Sequence, residues 1–190
     1  MQPTMAQAAS SSRALIRVGA LAAITAGLLR VIGAFVPADQ ASTGLAVLYL
    51  ITDVGIVLGL IAWYVARYAS LGLWGSAGFV LGIVGILIIR SNGTIPGVAL
   101  YPPGALLVVI GIDMVAHRAW RAGHLPVWVL GLLVCSTLAG PVGFLPGLSG
   151  FFVLSGLTFG IAFAGVGVTV WREIAPARAL TARDREPCAA

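Results

Sequence analysis

Two ionisable side chains sit inside long apolar runs and are the first candidates for chemistry. Arg30 lies near the end of the run 15–36, and Asp53 lies within the run 45–66. In the orientation argued below, Arg30 is about six residues and Asp53 about eight residues from the outer membrane face. At about 1.5 Å per residue, that is roughly 9 and 12 Å deep. A charge at mid-bilayer costs about 2.5–3.5 kcal/mol on insertion scales, so it faces the bundle and takes a partner. The matched depths predict an Arg30–Asp53 ion pair between antiparallel neighbours. Tyr49 shares the helical face of Asp53, four residues away. Arg90, at the outer end of the third run, and Tyr101, at the outer start of the fourth, complete the constellation. Two readings stay open. In one, these residues form an outer-half polar pocket for a small molecule or lipid. Arg30 then holds an anionic group, Asp53 fixes Arg30, and Tyr49 and Tyr101 orient the ligand. In the other, the charges are a salt bridge that sets helix register in a structural or accessory subunit.

A second cluster lies toward the inner face. Asp113 and His117 are four residues apart and share a helical face. Together with Arg67 they read as an interfacial ion pair or a proton relay. His124 is the only other histidine, which is too small a ligand set for a metal site. Cys135 lies in an apolar run and Cys188 in the tail, with no CxxC between them. No H-E-x-x-H, G-x-S-x-G or phosphate-binding loop occurs. No catalytic residue and no cofactor is therefore assigned, and a non-enzymatic role is expected.

The elements that position these residues follow from composition. Of 190 residues, 59% are hydrophobic and 9% charged, and mean hydropathy is +1.04. A soluble domain carries about 25% charged residues, so too few polar groups exist here to cover a water-facing surface. The net charge of +5 comes from 11 basic residues, all arginine. They cluster at the ends of apolar runs, as topology signals do, and not in a nucleic-acid-binding patch. Arginine without lysine, with abundant Ala and Gly, suits a GC-rich bacterial genome.

A membrane-spanning helix needs about 20 mostly apolar residues. Six runs qualify, near 15–36, 45–66, 71–90, 100–119, 126–145 and 150–171, between tails 1–14 and 172–190. The expected fold is an all-α, six-helix transmembrane bundle. Pro37 closes the first run, Asn92-Gly93 marks a turn, and Pro102, Pro103 and Pro126 suit first helical turns. Pro141 is expected to kink or end the fifth. The first run contains Arg30, is too long for a signal-peptide core and lacks an A-x-A site, so it reads as a span. Nine arginines fall on one side and only Arg30 and Arg90 on the other, which predicts that both termini are cytoplasmic. Trp63, Trp74, Trp120, Trp128 and Trp171 are all expected at the inner interface.

Small residues mark where helices meet in lipid. Gly75, Gly78, Gly82 and Gly85 form a stripe, as do Gly55 and Gly59, Gly19, Ala23 and Gly27, and Gly156 and Gly160. These faces predict either packing within one bundle or docking of a second copy or membrane partner. Three plus three spans also permit an inverted repeat.

The stretches Ala22–Arg30, Leu48–Asp53, Leu100–Leu106 and Arg118–Pro126 resemble small six-span bacterial membrane proteins of unknown function. The resemblance implies a multi-pass protein of the bacterial inner membrane and transfers no mechanism. Length and span number are also similar to the substrate-binding subunits of energy-coupling-factor vitamin transporters, a likeness of architecture alone. The expected partners are thus the lipid bilayer and a small-molecule or lipid ligand.

Overall fold

The computed structural model describes residues 5–36, 42–91 and 99–174, with 5–11 placed as backbone only. Pro37, the Asn92-Gly93 turn, Cys188 and the tail from residue 175 lie outside the described residues. The regular structure among those described is all helical. It comprises α1 (Met5–Gly33), α2 (Thr43–Arg90), α3 (Tyr101–Arg121), α4 (Val127–Val142) and α5 (Gly150–Ile174). In lipid a backbone must satisfy its own amides and carbonyls, and a helix does so within one segment. Four helical stretches are long and apolar enough to cross a membrane: Ser12–Gly33, Thr43–Arg90, Tyr101–Arg121 and Gly150–Ile174. The fifth helix, α4, has 16 residues, about 24 Å at the usual rise. It stops short of the expected 145 because Pro141 occupies its last turn. The chain then turns through Gly143, whose amide bonds to Ala139 and Gly140 carbonyls.

Helix α2 is a hairpin. A straight helix of 48 residues would be roughly 72 Å long, more than twice the hydrocarbon thickness of about 30 Å. Instead, residues on opposite sides of Gly72 touch each other. Asp53 is ion-paired with Arg90. The ring of Tyr64 stacks on Phe79 with centroids 4.3 Å apart. The Tyr64 and Ser76 hydroxyl oxygens are 3.0 Å apart. Leu60 lies against Gly82. The reversal occurs at Gly72, where φ is 60° and ψ is −166°, a conformation that essentially only glycine adopts. The break frees backbone carbonyls, and the guanidinium Nε of Arg118 donates to the Leu71 carbonyl at 3.2 Å. Space is not the constraint here, since an added Cβ would be 3.7 Å from the nearest neighbour, Arg118 Nη2. Gly72→Ala is therefore expected to cost about 1–3 kcal/mol through backbone strain alone. Denaturant titration in detergent measures this, and an unshifted midpoint would show that the turn tolerates a side chain.

The two arms, 43–71 and 73–90, sit in a cycle of antiparallel contacts. The first arm lies on α1, with Gly55 against Ala26 and Gly59 against Ala23. The second arm lies on α3, with Gly78 facing Gly111 and Gly85 facing Gly104. Helix α4 crosses α3 and runs beside α5, where Gly165 meets Trp128 and Gly143 meets Phe152. Helix α5 then closes on α1, with Gly160 facing Gly27 and Gly167 facing Ala20. Each glycine stripe anticipated from sequence thus contacts another helix of the same chain. Trp63 departs from expectation. It is only 1% exposed and belongs to the core with Leu60, Ile112 and Phe163. Trp74, Trp120, Trp128 and Trp171 are at least partly exposed, as an interfacial belt requires.

Candidate functional site

The end of the bundle opposite Gly72 holds the first candidate cluster. Arg90 is the last residue of α2, and its guanidinium donates to Asp53 Oδ2. This corrects the expected Arg30–Asp53 pair. Matched depth favours Arg30, with Arg90 at the outer end of its run as a further member of the cluster. The tight turn at Gly72 decides between them, because it aligns residues 53 and 90 on adjacent arms. Arg30 is half-buried and forms neither ion pair found among the described residues. It still acts through space on the Asp53 carboxylate. Both arginines lie in the last turn of their helices, where the negative end of the helix dipole favours cations.

The tyrosines do not converge on this pair. The Tyr49 hydroxyl donates to the Gly33 carbonyl at 3.3 Å, tying the end of α1 to the start of α2. Its ring covers Gly33, where an added Cβ would be 3.3 Å from Tyr49 Cε1. Tyr49 is thus a strut between helices. Tyr101 is the first residue of α3 and is 43% exposed.

A groove of about 180 Å³ runs alongside the ion pair, lined by Leu50, Asp53, Val54, Val57, Leu58, Ile86 and Arg90. Leu50, Val54 and Leu58 are each at least 40% exposed. These side chains point away from the bundle, so the groove opens sideways, where acyl chains surround a membrane protein. Electrostatically the cluster is unbalanced. Among the described residues, Arg30 and Arg90 stand against the single carboxylate of Asp53. Arg90 lines the groove, and the second arginine leaves the cluster with excess positive charge that can hold an anionic headgroup.

No protein-family model, curated protein or solved structure matches the chain. The site must therefore be argued from its own chemistry.

The second expected cluster comes apart. Asp113 accepts a hydrogen bond from Thr137 Oγ1 of α4 at 2.7 Å. His117 is exposed and lies beside Trp120, ring centroids 5.9 Å apart. Arg67 is ion-paired with Glu173 of α5. Asp113, His117 and Arg67 thus have three separate partners. Sequence reasoning missed Glu173, which lies just past the expected end of the last span. Its only signal was an acid directly after Arg172 at the end of the apolar run. His124, in the turn after α3, is held below the ordinary imidazole range by local desolvation and then by the nearby Arg67 charge. It also missed a hydroxyl pair between α4 and α5. Ser136 Oγ donates to the Ser155 carbonyl at 2.9 Å, and Ser155 Oγ donates to the Ser136 carbonyl at 3.0 Å. No group of three or more metal-ligating side chains occurs among the described residues.

Proposed function

We propose that this is a multi-pass membrane protein that binds an anionic lipid in the lateral groove beside Arg90. Its headgroup lies on Arg30 and Arg90, and an acyl chain follows Leu50, Val54 and Leu58. The observation that carries this reading is the Asp53–Arg90 ion pair at the edge of an apolar, outward-facing groove, with Arg30 as a second nearby cation that joins neither ion pair among the described residues. In this reading the chain crosses the bacterial cytoplasmic membrane six times, counting the two arms of α2 and the short α4, with both termini cytoplasmic. The arginine distribution supports that orientation. The matched crossings support an inverted three-plus-three arrangement. Gly78 and Gly85 meet α3 seven residues apart, as Gly160 and Gly167 meet α1.

Native mass spectrometry of the protein exchanged into phosphatidylglycerol or phosphatidylcholine tests the lipid site. Retention of phosphatidylglycerol over phosphatidylcholine is expected. Arg30→Gln and Arg90→Gln should each cut its occupancy roughly tenfold, the equivalent of about 1.4 kcal/mol. Asp53→Asn should raise occupancy, because it releases Arg90 from its internal partner. One observation favours a purely structural role instead: Asp53 and Arg90 bridge two arms of a single hairpin. If Asp53→Asn lowers lipid occupancy as much as the arginine substitutions do, that role stands and the lipid site falls. Reporter fusions test the topology. A cytoplasmic signal at residue 95 would overturn it.

A further inference from the structure

Three carboxylates belong to the described residues. Asp53 lies on Arg90, and Glu173 lies on Arg67. Asp113 forms neither ion pair found among those residues, and it lies inside the apolar α3, eight residues from its end at Arg121. Its Oδ1 is inaccessible and has no hydrogen-bond partner. Its Oδ2 meets only Thr137 Oγ1, at 2.7 Å. The packed elements bring no available cation. Helix α4 contributes Cys135 as its only titratable residue. Helix α2 contributes Arg67 and Arg90, both already paired. On α3 itself, Arg118 donates to the Leu71 carbonyl and His117 stands beside Trp120. An isolated ionised carboxylate in an apolar medium is far more costly than a neutral acid.

The hydrogen-bond count points the same way. The Thr137 hydroxyl has two acceptors in reach, Asp113 Oδ2 at 2.7 Å and the Leu133 carbonyl at 3.1 Å. A hydroxyl carries one hydrogen. If Asp113 is ionised, Thr137 donates to Oδ2, and Oδ1 remains a charge-bearing oxygen with no donor. If Asp113 is protonated on Oδ2, it donates to Thr137, and Thr137 donates to Leu133. Every hydrogen then has an acceptor. The orphan Oδ1 becomes a carbonyl oxygen, which costs less to leave unpaired than half of a carboxylate.

We propose that Asp113 is a proton-binding site at the α3–α4 seam, taking up a proton on Oδ2 against the Thr137 hydroxyl. The site is separate from the lipid groove and does not depend on it.

Dicyclohexylcarbodiimide tests this, because it adds to a protonated carboxyl in an apolar site and spares an ion-paired carboxylate. The expected result is one adduct per chain in detergent, located at Asp113 by peptide fragmentation. Labelling should fall as pH rises and vanish in Asp113→Asn, while Asp53 stays unmodified. Mapping the adduct in the unsubstituted chain needs no variant, so a folding defect in Asp113→Asn cannot obscure the answer. Absence of an Asp113 adduct across the pH range overturns the proposal. So does protection by sodium chloride that choline chloride does not give, which would assign the site to a metal cation.

Discussion

Gly111→Val is expected to destabilise the bundle by about 3 kcal/mol, at the upper end of the range for overpacking a closely packed site. A Cβ at Gly111 would sit 2.5 Å from both the Gly78 carbonyl oxygen and the Gly82 amide nitrogen. Both obstacles are backbone, so no rotamer change relieves the clash. The second arm of α2 must move away from α3 along its length, and neighbouring contacts such as Gly85 with Gly104 loosen with it. Helix association in lipid depends on this close approach, because lipid tails are as apolar as the helices themselves. Gly131→Val is the matched control. No atom lies within 4 Å of a Cβ built there, and the shift should stay within about 0.5 kcal/mol. Unfolding titrations of the two variants in mixed detergent micelles make the comparison. Equal shifts would show that the α2–α3 crossing is not the tight contact described above.

The second large effect concerns the Asp53–Arg90 pair, and its size is asymmetric. Arg90→Ala should cost about 2 kcal/mol, whereas Asp53→Ala should cost less than about 1 kcal/mol. Breaking a fully buried pair costs about 3–5 kcal/mol, because it strands a charge. Here both partners are partly exposed, at 22% for the Asp53 and 38% for the Arg90 side chain, so the smaller figures apply. Without Arg90, Asp53 loses its ion-pair partner among the described residues, and Arg30 acts on it only at a distance. Without Asp53, Arg90 stands at the end of its helix and can extend its long side chain to the interface. A double-mutant cycle in the same detergent should give a coupling of about 0.5–2 kcal/mol. A larger loss for Asp53→Ala than for Arg90→Ala would refute the argument.

Much of the architecture was legible because lipid imposes strict rules on sequence. Apolar length located the helices, and steps of three and four between glycines located their contact faces. Partner choice was not legible, because depth is one coordinate and packing needs two. Depth favoured Arg30 for Asp53, and the turn geometry at Gly72 selected Arg90 instead. Trp63 reads as an interfacial residue by depth, yet it points inward beside Leu60. Thr137 carried no signal at all. A lone hydroxyl on an apolar helix normally bonds its own preceding turn, and only the crossing of α3 and α4 brings Asp113 to it. The expected pocket also became a lateral groove, since residue types do not reveal whether polar atoms line a cavity or a flank.

The contact between α5 and α1 bears on how the protein is made. Helix α1 emerges from the ribosome first and α5 last, yet Gly27 and Gly160 meet across their shared face. Until α5 is inserted, the small-residue stripe of α1 has no mate on that side. Every shorter nascent chain therefore holds an open seam toward lipid. The α1–α5 contact thus forms only once residues beyond 150 have been made.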